Sequence, residues 1–300
     1  MEDVLVVGGG AAGLNAALML SRTRRRVLVV DSGDPRNAPA AAVHGFVSRD
    51  GTPPAELLAT GRAEVQRYGG RVVAGRVHAI RQGGGTVTAF DVELADRTVR
   101  TRRVIVATGG RDELPDVPGL AERWARDVLH CPYCHGWEVR DQPIGVLGWH
   151  PMAVHQALLA RLLSEDVVFF AEVLDDADRA KLTARGVRIV DGKVGELVVE
   201  DDALCGVRLV DGTVVPRTGL FVFPNFVPND ALLTGLGCRR NDDGWVEVDP
   251  SGLTTVPGVW AVGNVVDPRA ALVVAAAAGV TAAVAVNQDM IEEELLEHIR

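Results

Sequence analysis

The sequence predicts an α/β protein built from two Rossmann-like nucleotide-binding domains, the first of them discontinuous. Three observations carry this. A strand, a glycine-rich turn, a helix and a second strand ending in an acid open the chain; a similar unit begins at Ile144; and a strand-to-glycine edge returns at Gly263. Alternation of this kind builds mostly parallel sheets covered by helices. The expected boundaries are 1–113 with 241–300 for the first domain and 114–240 for the second, and 300 residues suffice for two cores.

Val4 to Val7 is an apolar run followed at once by Gly8-Gly9-Gly10-Ala11-Ala12-Gly13. Helical apolar spacing covers Leu14 to Ser21, and the strand Val27 to Val30 ends in Asp31. The dinucleotide fingerprint is thus met in its required context. Gly8 permits the tight turn, Gly10 lets backbone approach a pyrophosphate, and Gly13 allows close helix packing. The helix N-terminus faces the phosphates, and Asp31 accepts from an adenosine ribose hydroxyl.

Prolines at 35, 39, 53 and 54 make the next stretch a loop, which carries His44-Gly45-Phe46. A helix is expected from Ala55 to Tyr68, then strands at Arg71 to Ala74, Val77 to Ile80, Val87 to Leu94 and Val99 to Val106, with Gly83-Gly84-Gly85 as a turn. The last strand ends in Ala107-Thr108-Gly109-Gly110, an edge suited to lining a dinucleotide cleft, and Leu114 to Gly119 reads as a linker.

The second unit runs from a strand at Ile144 to Leu147, through a turn at Gly148, into a helix at Ala153 to Leu163 and a strand at Val167 to Phe170. Short strands follow near Val187, Leu204, Val214 and Leu220, with Asp211-Gly212 as a hairpin turn. Gly244 to Asp249 alternates like a further strand. Thr255 to Asn264 then leads to an alanine-rich helix from Ala270 to Val286, whose N-terminus is expected to face a ligand. That run is short for a bilayer and broken by Gly279 and Thr281, so it reads as a buried helix rather than a membrane span.

A formal net charge of -9 argues against nucleic acid as a partner, and Arg22, Arg24, Arg25 and Arg26 read as a solvated helix end. Met1-Glu2-Asp3 leads straight into a strand and is not a signal peptide, so the expected compartment is the cytoplasm. A Cys-x-x-Cys there is usually catalytic rather than structural.

The chemistry centres on Cys131-Pro132-Tyr133-Cys134-His135-Gly136-Trp137-Glu138. Such a pair can be a redox dithiol, half a zinc site or, with the histidine, a haem attachment motif. Zinc needs about four ligands, whereas Cys205 and Cys238 are isolated in the sequence; haem attachment requires export. The redox dithiol is the favoured reading, no metal is expected, and His135 is placed to move protons beside the sulfurs.

These residues together resemble the low-molecular-weight thioredoxin reductase family of flavoproteins over essentially the whole chain. The Cys-Pro-Tyr-Cys-His-Gly-Trp-Glu version is similar to dithiol oxidases that close disulfides in small natural products of the gliotoxin and holomycin type. The resemblance implies two three-layer ββα nucleotide-binding domains, a homodimer, and FAD held by Gly8, Gly10, Ala11, Ala12, Gly13, Asp31, Ser32, Arg36, His44, Val77, Thr108, Gly109, Gly263 and Asn264. It also makes Cys131 and Cys134 the redox disulfide, with Cys134 nearer the flavin.

Three departures matter. Trp149 and His150 stand where a reductase has small glycines for NADPH, and Glu172 stands where arginines would meet a 2′-phosphate. His135 replaces the usual aspartate, and Asn264 replaces the aspartate after Gly263. The expected activity is oxidation of a small-molecule dithiol with O2 as acceptor, giving H2O2. The alternatives are an NAD(P)H-dependent thioredoxin reductase and, in another class, a flavin redox sensor.

Overall fold

The structure, a computed structural model, describes residues 1–84 and 89–299. It divides into two compact units, one of residues 1–38, 54–111 and 227–300, the other of residues 39–53 and 112–226.

In the first unit, β1 (Glu2–Val7), α1 (Ala11–Arg22) and β2 (Val27–Asp31) are followed by α2 (Pro54–Arg67), β3 (Arg71–Ala74), β4 (Val77–Gln82), β5 (Phe90–Leu94) and β6 (Thr98–Val106). The sheet order is β3-β2-β1-β6-β5-β4, parallel from β3 to β6 and antiparallel thereafter. The apolar runs are unbroken because the strands are buried on both faces. Val4, Val6, Val27, Val29 and Ile105 point to one side, into a core shared with α1. Leu5, Val7, Leu28, Val30, Val104 and Val106 point to the other, against Phe90 and Val92. Of the strand expected from Val87, residues Val87 and Thr88 lie outside the described residues, as does Gly85 of the expected turn.

After β7 (Gly110–Glu113) the second unit contains β8 (Val128–Leu129), α3 (Pro132–His135), β9 (Ile144–Gly148), α4 (Ala153–Ala160), β10 (Val167–Ala171), α5 (Asp176–Ala184) and β11 (Arg188–Asp191). A meander of β12 (Val194–Glu200), β13 (Ala203–Leu209) and β14 (Val214–Pro216) precedes β15 (Gly219–Phe221) and β16 (Asn225–Pro228). The five-stranded sheet is parallel, in the order β11-β10-β9-β15-β8. Val146, Val167 and Phe169 meet α4 and α5 on one face. Val168, Phe170 and Leu220 meet the meander on the other. The unit therefore has the same helix–sheet–meander layering as the first.

The chain then adds α6 (Ala231–Gly235), β17 (Val259–Ala261) and α7 (Leu272–Ile299) to the first unit. β17 pairs with the last three residues of β6. The return begins at Val227 rather than 241, because Leu233 and Cys238 pack into the first unit's core. Residues 39–53 likewise group with the second unit, not with the first as the expected boundary had it.

Two further expectations change. Gly244 to Asp249 is not a strand and makes only isolated bridges. There the Asn241 carboxamide accepts from Asp243 and Trp245, and the Asp249 carboxylate accepts from Ser251 and Leu253, so side chains wind the backbone into turns. The last helix starts eight residues after Asn264, past a short 3-10 turn, so its N-terminus does not follow the glycine directly. By length and composition α7 could cross a membrane. Its Ala275, Ala282, Ala283, Val286 and Met290 are instead buried in the core with α1.

Candidate active site

The first unit presents a dinucleotide cradle at the carboxyl end of β1. Gly8 has φ +102°, and a Cβ there would lie 2.4 Å from the Ala107 carbonyl oxygen, so only glycine makes this turn. Gly10 caps α1 without a side-chain bond, and the space around its Cβ position is open, leaving the helix's first amides clear for a phosphate. Ala11 and Ala12 open that first turn, and Gly13 packs on the Gly8 carbonyl.

Asp31 ends β2 beside the turn. Its Oδ1 accepts from Gly9 N at 3.1 Å and Gly33 N at 3.3 Å, while Oδ2 lies 3.4 Å from Arg62 Nη1. Ser32 is exposed, Arg36 half-buried, and Val77 buried at the start of β4. Thr108 is engaged structurally: its hydroxyl donates to the Asn229 carbonyl at 2.8 Å, and Asn229 N–H bonds Gly109. Asn264 donates its amide hydrogens to Asp267 and Ala270, which leaves its side-chain oxygen to accept from a hydroxyl. These features fit a bound dinucleotide.

The corresponding turn of the second unit is filled by its own side chains. Trp149 Nε1 donates to the Phe223 carbonyl at 2.8 Å, and the His150 ring stacks on Phe223 with centroids 4.6 Å apart. His130 meets the same phenyl ring edge-on at 4.9 Å. His150 Nδ1 accepts from Met152 N at 3.1 Å, so an amide at the start of α4 is already partnered. Glu172, just after β10, lies 3.7 Å from Lys193 Nζ. Phe223 carried no sequence signal, because its role depends on β15 bringing it beside the turn.

The redox loop lies between β8 and β9. Cys131 and Cys134 form a disulfide with Cα atoms 5.2 Å apart. Cys131 is the N-cap of α3, Pro132 occupies the first turn, and Cys134 N–H donates to Cys131 Sγ at 3.2 Å. That bond stabilises a thiolate on Cys131 once the disulfide opens. Gln156 of α4, almost fully buried, donates to the carbonyl of His130 and so anchors the entry to the loop. Tyr133, between the two cysteines, and Trp137, three residues after Cys134, are largely exposed, with the Arg140 guanidinium over the Trp137 ring.

His135 closes α3. Burial holds its imidazole below the ordinary range; a bond to the Ala42 backbone and the charge of Glu138 push upward, and His44 pushes down. Its Nε2 is buried without a partner. His44, expected beside the flavin, sits in this cluster: its ring centroid is 6.1 Å from that of His135. Among the described residues no group of His, Cys, Asp or Glu could hold a metal ion.

A dinucleotide cradle and a disulfide in a short helical loop, on two Rossmann-like units, define a flavin-dependent disulfide oxidoreductase. The chain belongs to the pyridine nucleotide-disulphide oxidoreductase family, whose model matches residues 2–279. A solved structure named HlmI superposes with a TM-score of 0.97 over 100% of this chain and 95% of that one, at 55% identity. A putative thioredoxin reductase, TrxB from Bacillus anthracis, gives 0.92 at 29% identity, covering 98% and 100% of the two chains. The thioredoxin reductase sirT of Leptosphaeria maculans is 32% identical over 309 residues, 95% of this chain and 93% of that protein. The thioredoxin reductase tcpT of Claviceps purpurea is 32% identical over 275 residues, 87% and 86%. The protein is a low-molecular-weight thioredoxin reductase-like enzyme whose cofactor is FAD.

Proposed function

We propose that the enzyme oxidises a small-molecule dithiol to its disulfide through Cys131–Cys134, passing the electrons to O2 and releasing H2O2. The observation that carries this is the turn at Trp149 and His150, whose side chains are bonded and stacked where small glycines would admit a nicotinamide donor's pyrophosphate. The 55% identity to HlmI and the resemblance of the Cys131–Glu138 loop to that of natural-product dithiol oxidases support the same direction.

His135 takes the proton from the first substrate thiol. The thiolate attacks Cys131 Sγ, the enzyme disulfide breaks, and Cys134 leaves as a thiol. The second substrate thiol then attacks the substrate sulfur of the mixed disulfide and expels Cys131, whose thiolate the Cys134 amide stabilises. Two electrons have then moved from the substrate to the Cys pair; the first substrate proton passes from His135 to the departing Cys134, and the freed imidazole takes the second while Cys131 stays a thiolate. Bound FAD supplies the two-electron chemistry that joins the reduced pair to O2. Gly8, Gly10, Gly13, Asp31 and Asn264 would hold it, and Tyr133 and Trp137 offer an aromatic surface to a small apolar substrate. A homodimer and a cytoplasmic location go with this reading; exposed Val284, Ile291 and Leu295 on α7 give such a dimer an apolar stripe.

The test is anaerobic reduction of the yellow protein, followed by visible absorbance. A small dithiol should bleach it, with recovery and peroxide on admitting air, and NADH and NADPH should not. Prompt bleaching by a nicotinamide would restore the thioredoxin reductase reading, which the names of sirT and tcpT favour.

A further inference from the structure

In the second unit β9, β15 and β8 lie side by side and parallel, and the residues at their carboxyl ends converge on Phe223. The turn after β9 holds Trp149 and His150, Phe223 lies two residues past β15, and His130 follows β8, one residue before Cys131. Backbone pairing holds β15 to β8 as far as Leu129, whose carbonyl accepts from Val222 N at 2.9 Å. Beyond that point side chains take over. Trp149 Nε1 donates to the Phe223 carbonyl, the His150 ring stacks on the phenyl ring with 22° between planes, and the His130 ring stands edge-on to it at 87°. The His130 carbonyl also accepts from Gln156, which is 2% exposed, so α4 grips the same peptide that leads into Cys131.

We propose that Trp149, His150 and Phe223 are positioning residues for the redox disulfide: the turn they fill seats His130, and His130 fixes where Cys131 enters α3. Cys131 is the N-cap of that helix and its Sγ accepts from Cys134 N at 3.2 Å, so a displacement at residue 130 reaches both sulfurs within one helical turn. A loop held in this way keeps the two sulfurs apposed, which raises their effective concentration for each other and favours the disulfide over the open dithiol. The aromatic residues thus do more than occupy the place of small glycines, because glycine at 149 and 150 would leave Phe223, and through it His130, without support. Gln156 supplies a second hold on the same peptide that does not pass through the turn. All of this requires only that Cys131–Cys134 is the redox group, whichever way the electrons flow.

The test is the dithiol–disulfide equilibrium of the Cys pair. The holoenzyme would be equilibrated anaerobically in dithiothreitol buffers of fixed oxidised-to-reduced ratio and quenched by alkylation, with the peptide carrying Cys131 and Cys134 counted by mass spectrometry. A ring contact or hydrogen bond of this kind changes an equilibrium constant by about three- to tenfold. Phe223→Ala should shift the pair toward the dithiol by about that factor, tenfold being about 30 mV for a two-electron couple. Phe223→Tyr keeps the ring and should stay within about twofold of wild type. Trp149→Phe removes only the N–H donated to Phe223 and should move the same way by about two- to fivefold; it stands in if Phe223→Ala does not fold. Gln156→Met loosens the same peptide without touching the turn and calibrates how far the pair responds. A purely structural role would lower the melting temperature and leave the Cys equilibrium at its wild-type value. An unchanged equilibrium in Phe223→Ala, or in Trp149→Phe where that variant stands in, overturns the proposal whatever Gln156→Met shows. So does a shift toward the disulfide, or movement of Phe223→Tyr as far as Phe223→Ala. Neither O2 nor a nicotinamide takes part, so that result would leave the oxidase reading where it stands.

Discussion

Cys131 and Cys134 are joined in one disulfide but have different surroundings, so their serine variants should fail differently. Only Cys131 accepts the Cys134 amide, and only it is the proposed point of attack. Both Cys131→Ser and Cys134→Ser should keep FAD, whose cradle is built from other residues, and both should lose dithiol-driven bleaching. Cys134→Ser should still trap a substrate thiol as a mixed disulfide when challenged with a disulfide probe, visible by mass spectrometry; Cys131→Ser should trap far less. Loss of FAD from either would make the loop structural.

His135→Gln should slow dithiol-driven reduction about 10²–10⁴-fold, the range for a missing general base. The loss should shrink as pH approaches about 8.5, where a free thiol supplies its own thiolate. Because His135 is depressed by burial, wild-type activity should persist below the usual imidazole range and fail only as pH drops through that lowered value. The Cys pair and the glycine fingerprint were legible because their geometry lies within a few consecutive residues. The partners of His44 were not, since Glu138 is far along the chain and reaches it only through the fold.

At the level of elements, α1 and α7 come together so closely that one glycine decides the contact. A Cβ at Gly279 would lie 2.0 Å from the Ala12 carbonyl oxygen, a backbone atom that cannot turn aside. Gly279→Ala should therefore cost about 1–3 kcal/mol by overpacking, and it should loosen FAD because Ala12 begins the cradle. Thermal melting followed by circular dichroism and by released flavin fluorescence checks both effects. Gly235→Ala in α6, where a Cβ meets nothing, should stay within about 0.5 kcal/mol of wild type.

Helix and strand signals were strongest where both faces are buried, as in β1, β2, β9 and β10, since continuous apolar runs admit few other readings. α5 escaped notice because only Leu182 of it is buried, so it shows no apolar period; its real signal is Asp175, whose carboxylate caps the Asp178 amide at 2.7 Å. The Gly244 to Asp249 alternation misled because Asn241 and Asp249 capture backbone amides that a ladder would need.

Across the whole molecule, one architecture appears twice with opposite fates at the same turn. In the first unit Gly10 leaves its surroundings open; in the second, Trp149, His150 and Phe223 close the equivalent place. The layering was legible because layers follow from element order. The closure was legible only as bulky residues in place of glycines, since neither the indole bond to Phe223 nor the imidazole capping Met152 can be read from adjacent positions. If these side chains are what excludes a nicotinamide cofactor, wild-type protein should give no calorimetric signal with NADH or NADPH, while Trp149→Gly with His150→Gly frees the Met152 amide and should admit NADH. NADPH should bind that double variant about tenfold more weakly, or about 1.4 kcal/mol, because Glu172 still faces the place of the 2′-phosphate and its Lys193 partner is 3.7 Å away at an exposed surface. Equal binding of both nucleotides would show that Glu172 plays no part in the discrimination. Binding by the wild type would show that the aromatic plug moves aside, and the direction of electron flow would then have to be decided on other grounds.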